Sequence, residues 1–392
     1  MPETQPKAAR RKVRTAANLV AALTLLAFLL SMSAGVLPHG RDQDFLNFYT
    51  GATLASEGRF SELHDTAVQL AVEKSITPQR TILVPFVRPH FYAAVLAPLG
   101  ALSFETAFRV WIALQLSLLG IFLWLIWREF GSESLVFAAM FAPTVFGIVH
   151  GQDNLVMGVA VMAGLAALAR GHDLQGGLWW SLVLIKFHLA PGLGLVLLVT
   201  RRWRALAGFA TGAATLAGAC LALAGWSGIV LYYRMLTNPH TEGLYPGREK
   251  LPNLQGLAAS LQAPDAAVYA TLGVAVVALM IYGLRGARQA PWWRNFALCL
   301  GGTLVLAPHV YLYDLTILLP ALILSIREAH SPALRWAALL LASPVLVIAV
   351  LALEPLRILF VPTLFVWLLL VSRDRAPALT PVPSENSTPV PA

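Results

Sequence analysis

Apolar runs, several of them about the 20 residues that a helix needs to cross a bilayer, follow one another from residue 15 to residue 372 with short polar gaps and two longer polar loops. A chain patterned this way has too little polar surface to cover a soluble globule, and in lipid its backbone must satisfy itself internally, as helices do. The reading is an all-α polytopic membrane protein. Composition agrees, with 57% of the 392 residues apolar and only 12% charged. Candidate spans lie near 15–37, 90–103, 105–127, 134–149, 153–169, 175–200, 204–225, 266–284, 293–308, 310–327, 334–353 and 356–372. They form one membrane domain, 15–372, between a basic N-terminus, 1–14, and a tail, 373–392, whose Pro-rich, anchor-poor composition predicts disorder. Residues 1–37 fit an uncleaved first helix and also the layout of a signal peptide; either exports the chain from residue 38 onward.

The net charge of +8 resides in clusters beside apolar runs: KAARRKVR, Arg201 to Arg204, Arg285 with Arg288, Arg327 with Arg335, and Arg373 with Arg375. Juxtamembrane Lys and Arg are retained in the cytoplasm, so both termini are expected there and no nucleic-acid partner is implied. Two long loops, about 38–88 and 226–264, then face the exported side with mixed charge. Cys220 and Cys299 lie inside apolar runs without metal-ligand spacing. The run 175–200 joins two ends that both look cytoplasmic yet is too short for two crossings, which predicts a broken, re-entrant pair with LIKFHLAPG at its tip.

Polar residues that could carry chemistry gather at the exported ends. DFLNFYTGATLASEG reads as a helix starting at Asp44, expected to lie flat at the outer surface with its rings in the interface, where Asp44 either caps the helix or faces the outer mouth. Tyr49 belongs to the same helix. Further on come Arg88 and His90, then Gln152, Asp153 and Asn154, then His309, Tyr313 and Asp314. Lys186 is a cation deep in a span, expected to face a cavity or an anion unless it snorkels to an interface. Asp314, also within a span, could pair with a neighbouring cation. A carboxylate at a lipid-accessible mouth above cations suits sugar transfer from a polyprenyl phosphate, with the carboxylate taking the proton of an acceptor hydroxyl. A lipid-linked-sugar transporter, an envelope-glycan polymerase and a non-catalytic scaffold are the alternatives.

The segment DFLNFYTGATLASEG resembles the D-F-x-x-[FY]-Y-x-A-x-x-x-x-x-G stretch of glycosyltransferase family 87, and RPHFYAAVLAPLGALSFETAFRVW, GQDNL, LIKFHLAPGLGLVLLVTRRWRAL and APHVYLYDLTILL are similar to that family's later stretches in the same order, over about residues 15 to 330. The resemblance implies a C-type membrane glycosyltransferase fold of about 10–13 transmembrane helices with juxtamembrane helices in the first exported loop, set in a bacterial cytoplasmic membrane with its active site outward. It further implies inverting transfer of mannose from a polyprenyl-phosphate donor to a lipid-linked or envelope glycan acceptor, without cofactor or required metal. Asp44 matches the family's catalytic base and His309 its late-motif helper; Lys186, and with it Arg88, would meet the donor phosphate. Gln152, Asp153, Asn154, Tyr49 and Tyr313 would line the acceptor or sugar site. VRPHFYAAVLAPLG departs from the family's usual pattern, so Arg88 and His90 would shape a different acceptor pocket.

Overall fold

The computed structural model describes residues 44–238, 248–353 and 358–374. The first expected span, most of the tail and Asp42 lie outside them. Among the described residues every regular element is helical. The first loop supplies α1 (Phe45–Ser56) and α2 (Thr66–Ile76), and α3 (His90–Gly100) and α4 (Phe104–Phe130) follow. Next come α5 (Ser134–Met140), α6 (Ala142–Val149), α7 (Asn154–Ala169), α8 (Asp173–Ser181), a 3-10 segment (Leu182–Leu189) and α9 (Pro191–Val199). The second half holds α10 (Trp203–Thr237), α11 (Leu254–Ser260), α12 (Asp265–Leu284), α13 (Trp292–Leu306), a 3-10 segment (Leu312–Leu318), α14 (Leu319–Glu328), α15 (Pro332–Ala342), α16 (Pro344–Ala352) and α17 (Phe360–Arg373). Three of these, α4, α10 and α12, are long and apolar enough to cross a membrane unaided. With shorter apolar helices packed among them, the molecule is an all-α polytopic membrane protein.

Several expected spans are two helices in series. The run 134–149 breaks at Phe141, whose ψ of 94° is not helical. The run 334–353 breaks at Ser343, where the following Pro344 forces an extended ψ of 148°. Within α10, Gly225 adopts φ 64° and ψ 179°, a conformation open to glycine, and the helix changes course there.

The run 175–200, expected to be a broken pair with LIKFHLAPG at its tip, is interrupted there in the structure. Lys186 interrupts the 3-10 segment with non-helical φ −120° and ψ 74°. The returning helix α9 has only 9 residues, about 14 Å of rise against a hydrocarbon core of about 30 Å. Both ends of the excursion meet: Arg202 pairs with Asp173 at 3.3 Å and donates to the Leu168 carbonyl at 3.0 Å. The outgoing α8 lies tight against α10 because Gly177 and Gly208 leave no side chain between the two backbones.

The expected surface position of α1 is corrected. Phe45, Leu46, Phe48, Ala52 and Leu54 are completely buried, and the Phe45 ring packs on Phe104, Phe108 and Trp111 at 5.4–5.8 Å between centroids. With large apolar side chains on more than one side, this helix gains more from enclosure by α3 and α4 than from lying at an interface.

Candidate active site

Asp44 stands at the N-terminus of α1, but its side chain makes no capping hydrogen bond. Its Oδ2 instead accepts from Gln152 Nε2 at 2.7 Å. Capping thus does not explain this acid. Gln152 belongs to a tight turn between α6 and α7, in which Gly151 (φ 69°) passes against Phe45 and its carbonyl accepts from Trp111 Nε1 at 2.9 Å. The turn and the start of α1 are therefore fixed to one another by packing as well as by the Asp44 contact.

From Gln152 a polar chain runs inward. Arg88 Nη2 donates to Gln152 Oε1 at 3.3 Å, and the same guanidinium makes a two-pronged bond to Asp153, with Nε to Oδ2 at 2.7 Å and Nη2 to Oδ1 at 3.1 Å. Lys186, at the break of the re-entrant segment, lies 3.2 Å from Asp153 and 2.5 Å from Asp314. Asp314 also accepts from the Tyr311 backbone N–H at 2.9 Å, and the Lys186 ammonium sits 4.7 Å from the centroid of the Tyr313 ring. Arg88, Asp153, Lys186 and Asp314 are all buried, and their two positive and two negative charges cancel. Burial of such charges is tolerable only when each has a partner, and here each has at least one.

Lys186 faces anions, as expected of a buried cation, and they are the protein's own Asp153 and Asp314, which neutralise it. An incoming phosphate would meet no net positive charge from Lys186 and Arg88.

The structure thus gathers Asp44, Gln152, Arg88, Asp153, Lys186 and Tyr313 into one constellation, with Asp314 as the partner anticipated for a nearby cation. His309 lies half-buried in the connection between α13 and the second 3-10 segment, and the His188 ring from the re-entrant tip reaches its backbone. Two other expected residues point elsewhere. The Tyr49 hydroxyl donates to the Leu102 carbonyl at 2.7 Å, tying α1 to the turn after α3. Asn154, fully buried, donates to Thr316 Oγ1 at 2.8 Å and fastens α7 to the Leu312–Leu318 segment. His90 pairs with another histidine, its Nε2 lying 3.2 Å from His64 Nδ1.

Some of the scaffold was not anticipated. Asn253, from the second long loop, donates to the Ala307 and Pro308 carbonyls at 2.7 and 3.3 Å and so holds the approach to His309. The Gln152 turn depends on Trp111, forty residues away in sequence. Neither contact leaves a trace in local sequence pattern.

No curated protein and no solved structure matches this chain. The family model of glycosyltransferase family 87 matches residues 86–310, more than half of the sequence, taking in Arg88, Gln152, Asp153, Lys186 and His309 while starting downstream of Asp44. The chain belongs to glycosyltransferase family 87, and with its apolar helices it is an integral membrane glycosyltransferase.

Proposed function

We propose that the protein transfers mannose from a polyprenyl-phosphate donor to a hydroxyl of a lipid-linked or envelope glycan acceptor on the exported side, with inversion at the anomeric carbon. Asp44 is the general base. It takes the proton of the acceptor hydroxyl while that oxygen attacks the anomeric carbon; the bond from that carbon to the phosphate oxygen breaks, and its electron pair leaves with the polyprenyl phosphate.

The observation that carries this reading is the state of Asp44. Among the described residues it is held by a neutral amide, Gln152, and by no cation, so its lone pairs remain available for a proton. Behind the amide, the neutral network of Arg88, Asp153, Lys186 and Asp314 fixes the geometry without drawing Asp44 into an ion pair. We accordingly assign Arg88 and Lys186 to positioning and His309 to the departing phosphate. A broken helix is also what a lipid-linked-sugar transporter would contain, and the two readings separate on whether a new glycosidic bond forms.

The test is transfer of radiolabel from polyprenyl-phosphate-mannose into native lipid and glycan extract by the purified chain and by Asp44→Asn. Asparagine still accepts from Gln152 but cannot take a proton. Loss of about 100-fold or more in turnover, with thermal stability retained, is expected; turnover equal to wild type removes Asp44 from the mechanism.

A further inference from the structure

The connection between α2 and α3 has no regular secondary structure, yet side chains hold its backbone at regular intervals. Glu73 accepts from the Val84 N–H with both oxygens at 3.2 Å. Gln69 accepts from the Phe86 N–H at 2.8 Å and donates to the Phe86 carbonyl at 3.2 Å. His64 Nε2 lies 2.9 Å from the Arg88 carbonyl. The anchored residues 84, 86 and 88 alternate, as on one edge of an extended chain. Gln69 and Glu73 are one helical turn apart, about 6 Å, which matches the advance of about 6.6 Å over two extended residues. Gln69 and Glu73 are completely buried, so the inner face of α2 is polar. From the other side, the Tyr232 hydroxyl of α10 donates to the Val87 carbonyl at 3.0 Å and its ring stacks on His64 at 4.1 Å.

The last rung has a defined protonation pattern. A carbonyl can only accept, so His64 Nε2 carries the hydrogen. Burial, with His90 alongside, holds His64 down to about 3, so the ring is neutral and its Nδ1 accepts. The hydrogen bond of 3.2 Å then runs from His90 Nε2 to His64 Nδ1 and on from His64 to the Arg88 carbonyl.

We propose that His64 and Gln69 are positioning residues for sugar transfer: this side-chain ladder sets the backbone of the 84–88 strap so that the Arg88 side chain meets Gln152 and Asp153, and Gln152 in turn holds Asp44. The assignment rests on Asp44 being the base. Nothing in the ladder touches Asp44 directly; its whole effect passes through Arg88.

The test measures label transfer from polyprenyl-phosphate-mannose into native extract by the full chain as wild type, His64→Leu, His64→Gln, Arg88→Lys and the double variant His64→Leu/Arg88→Lys. His64→Leu is expected to lower kcat about 10- to 100-fold while the donor KM moves less than about threefold. His64→Gln returns an N–H at similar reach and should recover kcat to within about threefold of wild type. Because the ladder acts through Arg88, adding His64→Leu to Arg88→Lys should cost little more; fully additive losses, or glutamine no better than leucine, overturn the proposal. If His64→Leu does not fold, Gln69→Leu, which removes both bonds to the Phe86 backbone, takes its place, and an unchanged kcat overturns the proposal.

If wild type transfers no label, the choice of sugar or acceptor fails while the ladder is judged separately by amide hydrogen exchange. Exchange at Val84 and Phe86 about tenfold faster or more in Gln69→Leu supports the ladder, and unchanged protection overturns it.

Discussion

Lys186 shows how a residue can be found by sequence while most of its partners stay hidden. A lysine deep in an apolar run is visible at once, but its partners Asp153 and Asp314 are 33 and 128 positions away, and only folding brings them to 3.2 and 2.5 Å. Since the Lys186 side chain is 3% exposed and those of its partners 0% and 2%, removing the ammonium leaves two buried carboxylates to share Arg88 alone. Lys186→Met is therefore expected to destabilise the protein by about 3–5 kcal/mol, read as a lowered unfolding temperature in detergent. Adding Asp314→Asn removes one of the stranded charges while keeping an acceptor for the Tyr311 N–H, so the double variant should be more stable than Lys186→Met alone. A double variant less stable than the single would mean that Asp314 is held chiefly by something other than this lysine. Asp44 and its neighbours in the late motifs were legible as chemistry-bearing residues; the contacts that Tyr49 and Asn154 make within the fold were not, because a polar side chain at a helix end looks the same whether it faces a substrate or a neighbouring helix.

At the level of elements, the strap from Val84 to Arg88 carries a titratable rung. Burial pushes the Glu73 carboxyl up to about 7 from its usual 4.5, outweighing the Val84 N–H and the Arg80 guanidinium 3.2 Å away. In the unfolded strap the acid loses its proton near 4.5, whereas in the folded one it keeps it until about 7. The folded state thus binds more protons between these values, and its stability falls as pH rises through that window, being greatest below it and level above it. Amide exchange over 77–88, corrected for the intrinsic dependence on pH, should accordingly show protection declining from pH 5 to pH 7. Glu73→Gln keeps an acceptor for Val84 and abolishes the slope; a slope that survives the substitution assigns the titration elsewhere. The break before Pro344, inside what was expected to be one span, follows from the rule for residues preceding proline, and much of the remaining helical layout was readable from apolar runs. The ladder was not, because Gln69 and Glu73 make an inner face of polar groups whose partners are backbone atoms, and hydrophobic periodicity says nothing about such a face. The same blindness placed α1 at the surface: periodicity identified its helix but could not reveal that α3 and α4 enclose it.

For the whole molecule, the broken segment α8 to α9 sets the number of times the chain changes sides before α10, and so decides on which side the second long loop lies. The ion pair between Asp173 and Arg202 holds the two ends of the excursion together, and basic residues Arg201, Arg202 and Arg204 lie at the returning end. By the retention of juxtamembrane arginines, that shared end is expected in the cytoplasm, and α10 would then carry the chain to the exported side, together with Asn253, which braces the approach to His309. Single cysteines at the exposed positions His172 and Arg204, in a chain whose buried Cys220 and Cys299 are replaced by alanine, should both resist a membrane-impermeant thiol reagent in intact cells and react after permeabilisation. A cysteine at exposed Gln262 should react without permeabilisation. Opposite labelling of His172→Cys and Arg204→Cys would make 173–202 a full crossing and detach the tip carrying Lys186 from the fold described. Shared cytoplasmic labelling with Gln262→Cys also protected would keep the re-entrant segment but would put the Asn253 loop, and with it His309, on the wrong side for a donor presented in the outer leaflet.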